Sequence, residues 1–570
     1  MDKYIYGGDT ETVKGKPNSI QLYSEDIACD TIIFVNEKSS RNAFLKWCGT
    51  RPRNALHVVY VHVLEFDLVE LLWGSHKRLV SDGSEFNFKV GDWHISGVYG
   101  TPTFARISNG HNRTILLIDS FSFYRSSLEN AAEIFCPGLP KLKRPANIGE
   151  VRRGPHDRIF VRYAMRDAVI AYHLGRAIEA MHKEYDLQQC VSVADMAARI
   201  FRHAFLTYTI PQPSRDVIEC ALLAYHGGKN NVACETPGWY ENVTSLDIKS
   251  AYPHAMREMP AFSNKKLYKR YAAKRVRHVP DYGVYYVSGS VSDCKWPSVF
   301  SHGFKPLSGK IERIAMHGFE LNEALRSEEL CVSKIRGWVY DHEKDIQAPA
   351  LRGFVDDFFA KKESVKDKGM RQWYKFTLNA ISGKFIQTRK RGTCAYTDID
   401  ANKTVNASEL VAGGMFHPFI ASGITAHTRA RIHGVEHRYK ALHTATDGIF
   451  TQSSCNIGSS GKLGALSVEA RGNLLLIRNK CYILYVDAPT KDTRPSKAYE
   501  GKHIFKEARH GFQGSVFDLE RLIATNTRRY TKNKPNRLKQ AIQRGLTPNE
   551  FVKRQMTLRV GPVIVRPPRR

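Results

Sequence analysis

The stretch "TSLDIKSAYPHAM", residues 244–256, decides the fold. It reads as a strand ending near Asp247, then a turn, then a second element opened by Tyr252-Pro253. Taken alone, Ser-x-Tyr-Pro is only a strand-to-helix turn. Just upstream lies "AYHGGKNN", residues 224–231, a Gly/Asn-rich turn signal. Before that, residues 1–186 alternate β-rich runs with helical stretches, an α/β unit. "HVVYVHVLEF", residues 57–66, reads as a buried strand, and residues 157–187 as one long helix with Ala164, Ala168, Tyr172 and Leu174 near a helical period. Downstream, residues 259–350 read as mixed β/α and residues 351–386 as two helices. The polar run 389–409 suits a β protrusion or loop. A helical stretch follows at 417–439, then the hairpin-like "LHTATDGIFT" at 442–451 and the strand-rich "NLLLIRNKCYILYV" at 473–486.

Bulk composition narrows the function. The 570 residues carry 85 Lys+Arg against 56 Asp+Glu, a net charge of +29, and 42% hydrophobic residues. That is a globular mix of several domains whose charge points to a polyanion, most simply nucleic acid. The 11 cysteines are scattered from Cys29 to Cys481 without a CxxC pair, which argues for reduced thiols and against a zinc ribbon. No apolar run nears the about 20 residues of a membrane span. The N-terminus lacks the basic-then-apolar pattern of a secretion signal, so a soluble, unprocessed chain is expected.

Carboxylates fall into two ordered sets. Asp9 and Glu11, in "GGDTET", are two apart on a strand and face one side. Asp67 follows the apolar run ending "VLEFDL"; Tyr163 and Asp167, four apart, share a helix face. Four carboxylates and a tyrosine suit a two-metal site for phosphodiester hydrolysis, because hard cations take oxygen ligands and two ions clamp the attacking and leaving oxygens. Each piece alone is weak, since DxE or YxxxD arises by chance in many proteins. The second set is Asp247 and Asp447, with Lys375 and Asn379 four apart on a helix between them. A lysine there can offset charge developing on a triphosphate.

The order of these pieces resembles the family B DNA polymerases, and the protein-primed, phage-type subfamily in particular. The resemblance covers nearly the whole chain. DxE, an F-D pair and YxxxD resemble the three motifs of the 3′→5′ proofreading exonuclease. It implies that Asp9, Glu11, Asp67 and Asp167 are metal ligands and that Tyr163 orients the water. "SSLEN" resembles the single-strand-binding motif at Ser127-Leu128. Val63 stands where the family has an asparagine.

"SLDIKSAYP" resembles polymerase motif A, which implies that Asp247 binds both catalytic metals and that Tyr252 excludes a 2′-hydroxyl; Ala251 replaces the family's leucine. "KFTLNAISGKF" resembles motif B through Lys375, Asn379 and Gly383, with Ala380 and Ser382 replacing its serine and tyrosine. "HTATD" resembles motif C, keeping Thr446 and Asp447 while His443 and Ala445 replace its tyrosine and first aspartate. Lys480 and Tyr482 match the K-x-Y motif that contacts the primer terminus. Tyr225, Gly227 and Gly228 match the Y-x-G-G linker that touches template backbone.

The fold this implies is a ribonuclease-H-like exonuclease followed by a right-hand polymerase, α/β with α+β. Its expected segments are 1–186 exonuclease, 187–258 linker and first palm part, and 259–350 a first insertion contacting a terminal protein. Then come 351–386 fingers, 387–412 a second insertion for processivity and strand displacement, 413–500 second palm part, and 501–570 thumb. The resemblance also implies two Mg²⁺ per site (Mn²⁺ substituting), template and primer DNA and dNTPs as partners, and a terminal protein as the source of the priming hydroxyl. It implies a monomer in the host cytoplasm with no membrane association. Two other readings stay open. The polymerase half is worn and only the nuclease acts, or the enzyme needs no primer. A scaffold using charge alone does not explain two ordered acid sets.

Overall fold

The structure is a computed structural model that describes residues 2–558 apart from 82–83, 263–266, 345–348, 391–392, 395–409, 459, 490–492 and 500. Most of the expected second insertion, and residues 559–570 of the expected thumb, lie outside the described residues. The chain divides into two compact units: residues 1–204, 360–380 and 533–554, and residues 205–359, 381–532 and 555–570.

The first unit is built on an eight-stranded sheet in the order β3-β2-β1-β4-β8-β7-β6-β5. Its strands are β1 Asp2–Val13, β2 Lys16–Ser24, β3 Cys29–Phe34, β4 Ala55–Val61, β5 Glu85–Val90, β6 Trp93–Val98, β7 Phe104–Asn109 and β8 Arg113–Asp119. β1, β4 and β8 run parallel, and hairpins extend both edges. The helix Arg158–Glu184 lies across β1, β2 and β4. Gly7 makes that approach possible, since a Cβ there would sit 1.9 Å from the Ala168 carbonyl oxygen.

The expected strand at 57–66 is shorter. β4 ends at Val61, Val63 turns to φ 68°, and Leu64–Leu71 is a helix. Asp67 therefore sits on a helix rather than at a strand end.

Two later segments also belong to this unit. The helix Lys368–Ala380, expected in the fingers, packs on the helix Val193–Ile200, with Trp373 stacked on Tyr185 at 6.0 Å. From the expected thumb, Leu538 joins the sheet's apolar core and Asn549 donates to Glu70 at 2.8 Å.

The second unit holds another eight-stranded sheet. Its strands include β9 Asn230–Val232, β10 Gly238–Ile248, β18 His443–Ala445, β19 Gly448–Thr451, β20 Leu466–Arg478, β21 Cys481–Val486, β22 Arg494–Pro495 and β23 His503–Arg509. The order is β22-β23-β21-β20-β10-β19-β18-β9. Between β10 and β18 the chain forms a four-stranded sheet of β11 Tyr268–Ala273, β12 Gly283–Val291, β13 Gly309–His317 and β14 Leu330–Tyr340, with the helix Gly318–Arg326 between β13 and β14, so residues 259–350 are mixed β/α as expected. A small three-stranded sheet follows, of β15 Thr388–Lys390, β16 Thr393–Cys394 and β17 Leu410–Ala412.

The predicted helix after Asp247 is Ala251–Glu258, and that at 417–439 is Pro418–Tyr439, capped by His417, whose Nδ1 accepts from Ile420 N–H. Leu246, Ile248, Ile432 and Ile449 pack β10, β19 and the long helix into one core.

Candidate active sites

In the first unit the expected carboxylates converge. Thr10, between Asp9 and Glu11 on β1, donates its backbone N–H (2.9 Å) and hydroxyl (2.6 Å) to Asp67 Oδ1, tying the helix Leu64–Leu71 to the strand. Asp167 reaches the same place from the long helix, one turn beyond Tyr163, and both are buried. The acids sense one another. Burial, then Asp67, Asp167 and Glu11, push the Asp9 carboxyl well above the usual range. Burial and Asp167 push Glu11 up to about 8. Burial pushes Asp67 up to about 7 against the Thr10 bonds. Tyr163 is raised by burial and then by Glu11, Asp167 and Asp9, which places its hydroxyl among them.

Three further residues complete this site and were not read from the sequence. Lys141 Nζ lies 2.7 Å from Asp167 Oδ2 and senses Asp9 and Glu11 as well. Arg144 lies within electrostatic reach of Glu11 and Tyr163. Asp119, ending β8, accepts the N–H groups of Val63 (2.9 Å), Leu64 (3.3 Å) and Phe121 (3.0 Å), and burial pushes it up to about 6. A strand-terminal acid after "TILLI" was the one available signal.

Asp167 Oδ1 is buried without a hydrogen-bond partner. A crowd of mutually repelling carboxylates with an orphaned oxygen fits a divalent cation by its donor chemistry. Among the described residues, however, no three His, Cys, Asp or Glu side chains are gathered tightly enough to enclose an ion. Lys141 instead supplies the positive charge at Asp167.

Ser127 and Leu128 start the helix Leu128–Phe135, where the Ser127 hydroxyl accepts from Asn130 N–H at 3.3 Å, a capping bond.

In the second unit Asp247 ends β10 opposite Gly448 on β19, and Asp447 precedes that glycine in the two-residue turn from β18. Ile248 N–H donates to the Asp447 carbonyl at 3.0 Å, so the turn that carries Asp447 is fastened to the end of β10 beside Asp247. Gly448 leaves room for the Asp247 carboxylate, since a Cβ there would come within 3.0 Å of its Oδ1. Two carboxylates, completed by substrate phosphates, are the donor set by which Mg²⁺ is commonly held. Ala445 pairs with Gly448 and Asn230 and supplies no acid.

Tyr252 is pushed up to about 12 by burial, with Arg429, Tyr225 and Asp447 in electrostatic reach, so motif A, the linker tyrosine and the hairpin do meet. Tyr482 packs edge-on to Phe450 at 4.7 Å and to His443 at 5.2 Å, and Asp247 contributes to its raised pKa. Lys480 sits in the β20–β21 turn, its N–H donating to His443 Nε2 at 3.3 Å.

Two charged residues here were not foreseen. Lys506 on β23 pairs with Glu469 on β20 at 2.6 Å, and both lie near Tyr482; Lys506 also senses Asp247. Ser245 donates to the same glutamate at 2.9 Å.

Lys375 and Asn379 share an exposed face of the helix Lys368–Ala380 in the first unit, while Gly383 falls in the second. Elsewhere, a cavity of about 1120 Å³ lined by Arg275, Arg277, Lys310 and Arg313 belongs to the four-stranded sheet and contains neither acid set.

Residues 159–415 match the family described as "DNA polymerase type B, organellar and viral". That match spans 257 of the 570 residues. The chain is similar in structure to Phi29 DNA polymerase complexed with single-stranded DNA, at TM-score 0.70 and 14% identity, over 98% of this chain and 100% of that one. It is similar also to the Phi29 ternary complex with primer-template DNA and incoming nucleotides, at TM-score 0.66 and 15% identity, over 98% and 99%. At such identities the likeness is one of fold, a ribonuclease-H-like exonuclease unit with a palm, fingers and thumb. No curated protein matches the chain by sequence. Among its described residues no helix is long and apolar enough to cross a membrane.

Proposed function

We propose that this chain is a family B, DNA-directed DNA polymerase with a 3′→5′ proofreading exonuclease, primed by a hydroxyl on a separate terminal protein and working on viral or mobile-element DNA. The observation that carries the reading is Asp247 near the end of β10 with Asp447 in the turn beside it and Tyr252 in electrostatic reach of Asp447.

Extension is in-line attack of a 3′-hydroxyl on the α-phosphate of a dNTP. Two Mg²⁺, when bound by Asp247 and Asp447, lower the cost of charge on the attacking and leaving oxygens. Tyr252 lies under the incoming sugar. Lys375 and Asn379 face the triphosphate, Gly383 keeps its surroundings open, and Lys480 and Tyr482 hold the primer terminus. Tyr225, Gly227 and Gly228 track the template. In the exonuclease Asp9, Glu11, Asp67 and Asp167 would hold the metals, which would activate the attacking water and offset charge on the leaving oxygen; Tyr163 orients the water, and Ser127 and Leu128 hold the single strand. The +29 charge supports the DNA partnership. Residues 259–350 are assigned to the terminal-protein contact, 387–412 to strand displacement, 413–500 to the second palm part and 501–570 to the thumb.

The specific ground for the rival reading, a nuclease with an inert palm, is Ala445 in place of an acid. Primer extension with Mg²⁺ and with Mn²⁺, beside Asp447→Ala, decides between them. Extension that Asp447→Ala abolishes is expected; no extension with either metal, alongside intact degradation, overturns the polymerase reading. Extension with neither primer nor added protein overturns protein priming.

A further inference from the structure

One face of the helix Pro418–Tyr439 carries Arg429 and Glu436, two turns apart and both fully buried. Arg429 grips Glu320 with two bonds of 2.6 Å and donates its remaining nitrogen to the carbonyls of His226 and Gly227 in the linker. Glu436 pairs through Oε2 with Lys229, which is 1% exposed, and accepts the Thr444 hydroxyl on Oε1. Lys229 then holds the hairpin a second time, because its carbonyl accepts the Thr446 N–H at 2.7 Å.

Thr446 needs that hold. It sits at φ 64°, a left-handed conformation that a β-branched residue adopts only under constraint, and it immediately precedes Asp447. The linker fits around it closely. A Cβ on Gly228 would come within 2.5 Å of Thr446 Cγ2, and Asn230 pairs with Ala445. Both sides of the 445–446 step are thus fastened to one buried couple. Burying an ion pair is costly, and an apolar or neutral pair in its place is often no less stable. Its gain here lies in geometry.

We propose that Lys229 and Glu436 are a positioning pair that sets the 444–447 turn, and with it the Asp447 carboxylate, against the Gly227-Gly228 linker. The proposal rests on the polymerase reading for its consequence in activity, though not for its structural content. In a palm with one acid fewer, the placement of the remaining hairpin acid carries more of the catalysis. A turn free to leave φ 64° would swing that carboxylate away from Asp247.

The test is the doubly neutral variant Lys229→Met/Glu436→Gln, which keeps an acceptor for Thr444 and leaves no unpaired buried charge. It is expected to melt with the wild type and to degrade single-stranded DNA at the wild-type rate. Its kcat for extension should fall about 10- to 100-fold with the dNTP KM unchanged, the size expected for a misplaced reacting group. The half-saturating Mg²⁺ concentration should rise. Hydrogen exchange of residues 442–451 should speed up while that of 473–486 stays fixed. Wild-type exchange at 442–451, or wild-type kcat and Mg²⁺ dependence, overturns the proposal. Failure of the unaltered chain to extend with either metal sinks the polymerase reading instead, and the exchange measurement still decides the positioning. If the double variant loses both its melting transition and its degradation, Lys229→Arg, which keeps the charge and alters the reach, takes its place with the same readouts.

Discussion

The two acid sets solve the same problem differently. The first unit's set is crowded: four carboxylates come from a strand, a short helix and a long helix, burial raises the pKa of each, their neighbours raise Asp9 and Glu11 further, and Lys141 stands against Asp167. The second unit's set is sparse: Asp247 near the end of β10 and Asp447 in the turn beside it, with Ala445 where a third acid is expected, and a buried ionic couple behind the hairpin. The first site gains from number of charges, the second from placement. Crowded acids tolerate a small displacement of any one member; a pair does not.

The sharpest break in this comparison is Asp447→Ala. Extension should fall by about 10³-fold, the order for removing a principal electrostatic contributor in the transition state, with degradation unchanged. Its mirror is Asp167→Ala, which should cost degradation about 10²- to 10³-fold and spare extension. Loss of both activities in either variant would mean that the sites are not separate.

The units should also answer pH in opposite senses in metal-free buffer. Asp67 and Glu11 have folded pKa values raised to about 7 and about 8, so the folded state binds more protons than the unfolded one between pH 4.5 and 7. Their contribution is largest at low pH and is lost as pH rises through those values; His62 and His76 in the same unit, both lowered to about 4 by burial, act in the opposite sense and offset part of it. His443, His317 and His417 are buried neutral, lowered to about 4, 3 and 3, so their contribution is present above pH 6.5 and is lost as pH falls below it. Urea unfolding read by thiol labelling of buried Cys48 in the first unit and Cys481 in the second checks this. With each labelling rate divided by that of the fully unfolded chain at the same pH, Cys48 should gain protection from pH 7 to pH 5 and Cys481 should lose it. Parallel changes would refute the contrast.

A gentler test restores the missing acid. Ala445→Asp should raise extension with Mg²⁺ several-fold relative to Mn²⁺, because added negative charge strengthens retention of the harder ion. An unchanged metal preference would show that placement alone governs the palm. The smallest effect concerns Val63, exposed and β-branched at φ 68°. Val63→Asn should stabilise the chain by about 1 kcal/mol in thermal unfolding, since asparagine tolerates the left-handed region that valine resists.

Much of this was legible in one dimension. The strand-turn-helix at 244–256 and the long helix Arg158–Glu184 follow from local patterning, and Asp9 with Glu11 or Tyr163 with Asp167 share faces through periodicities of two and four. The strand at 57–66 was read too long, because an apolar run does not reveal that Val63 turns left-handed when Asp119, 56 residues on, collects its N–H. Lys141, Lys229, Glu436 and Lys506 gave no signal either. Isolated charges in a chain rich in them look alike until folding buries some and exposes the rest. The segments 360–380 and 533–554 joined the first unit for a similar reason: their partners, Tyr185, Glu70 and the sheet core, are distant in sequence.

By itself, then, the sequence determined which residue types exist, their order and the local faces they share, which suffices for two sets of carboxylates on the right kinds of element. Tertiary structure decided which charges are buried, which turn is held at φ 64°, and how near Asp447 comes to Asp247. The physical reason is range: backbone periodicity acts over a few residues, whereas desolvation and ion pairing depend on groups brought together from more than 200 positions apart, as Lys229 and Glu436 are.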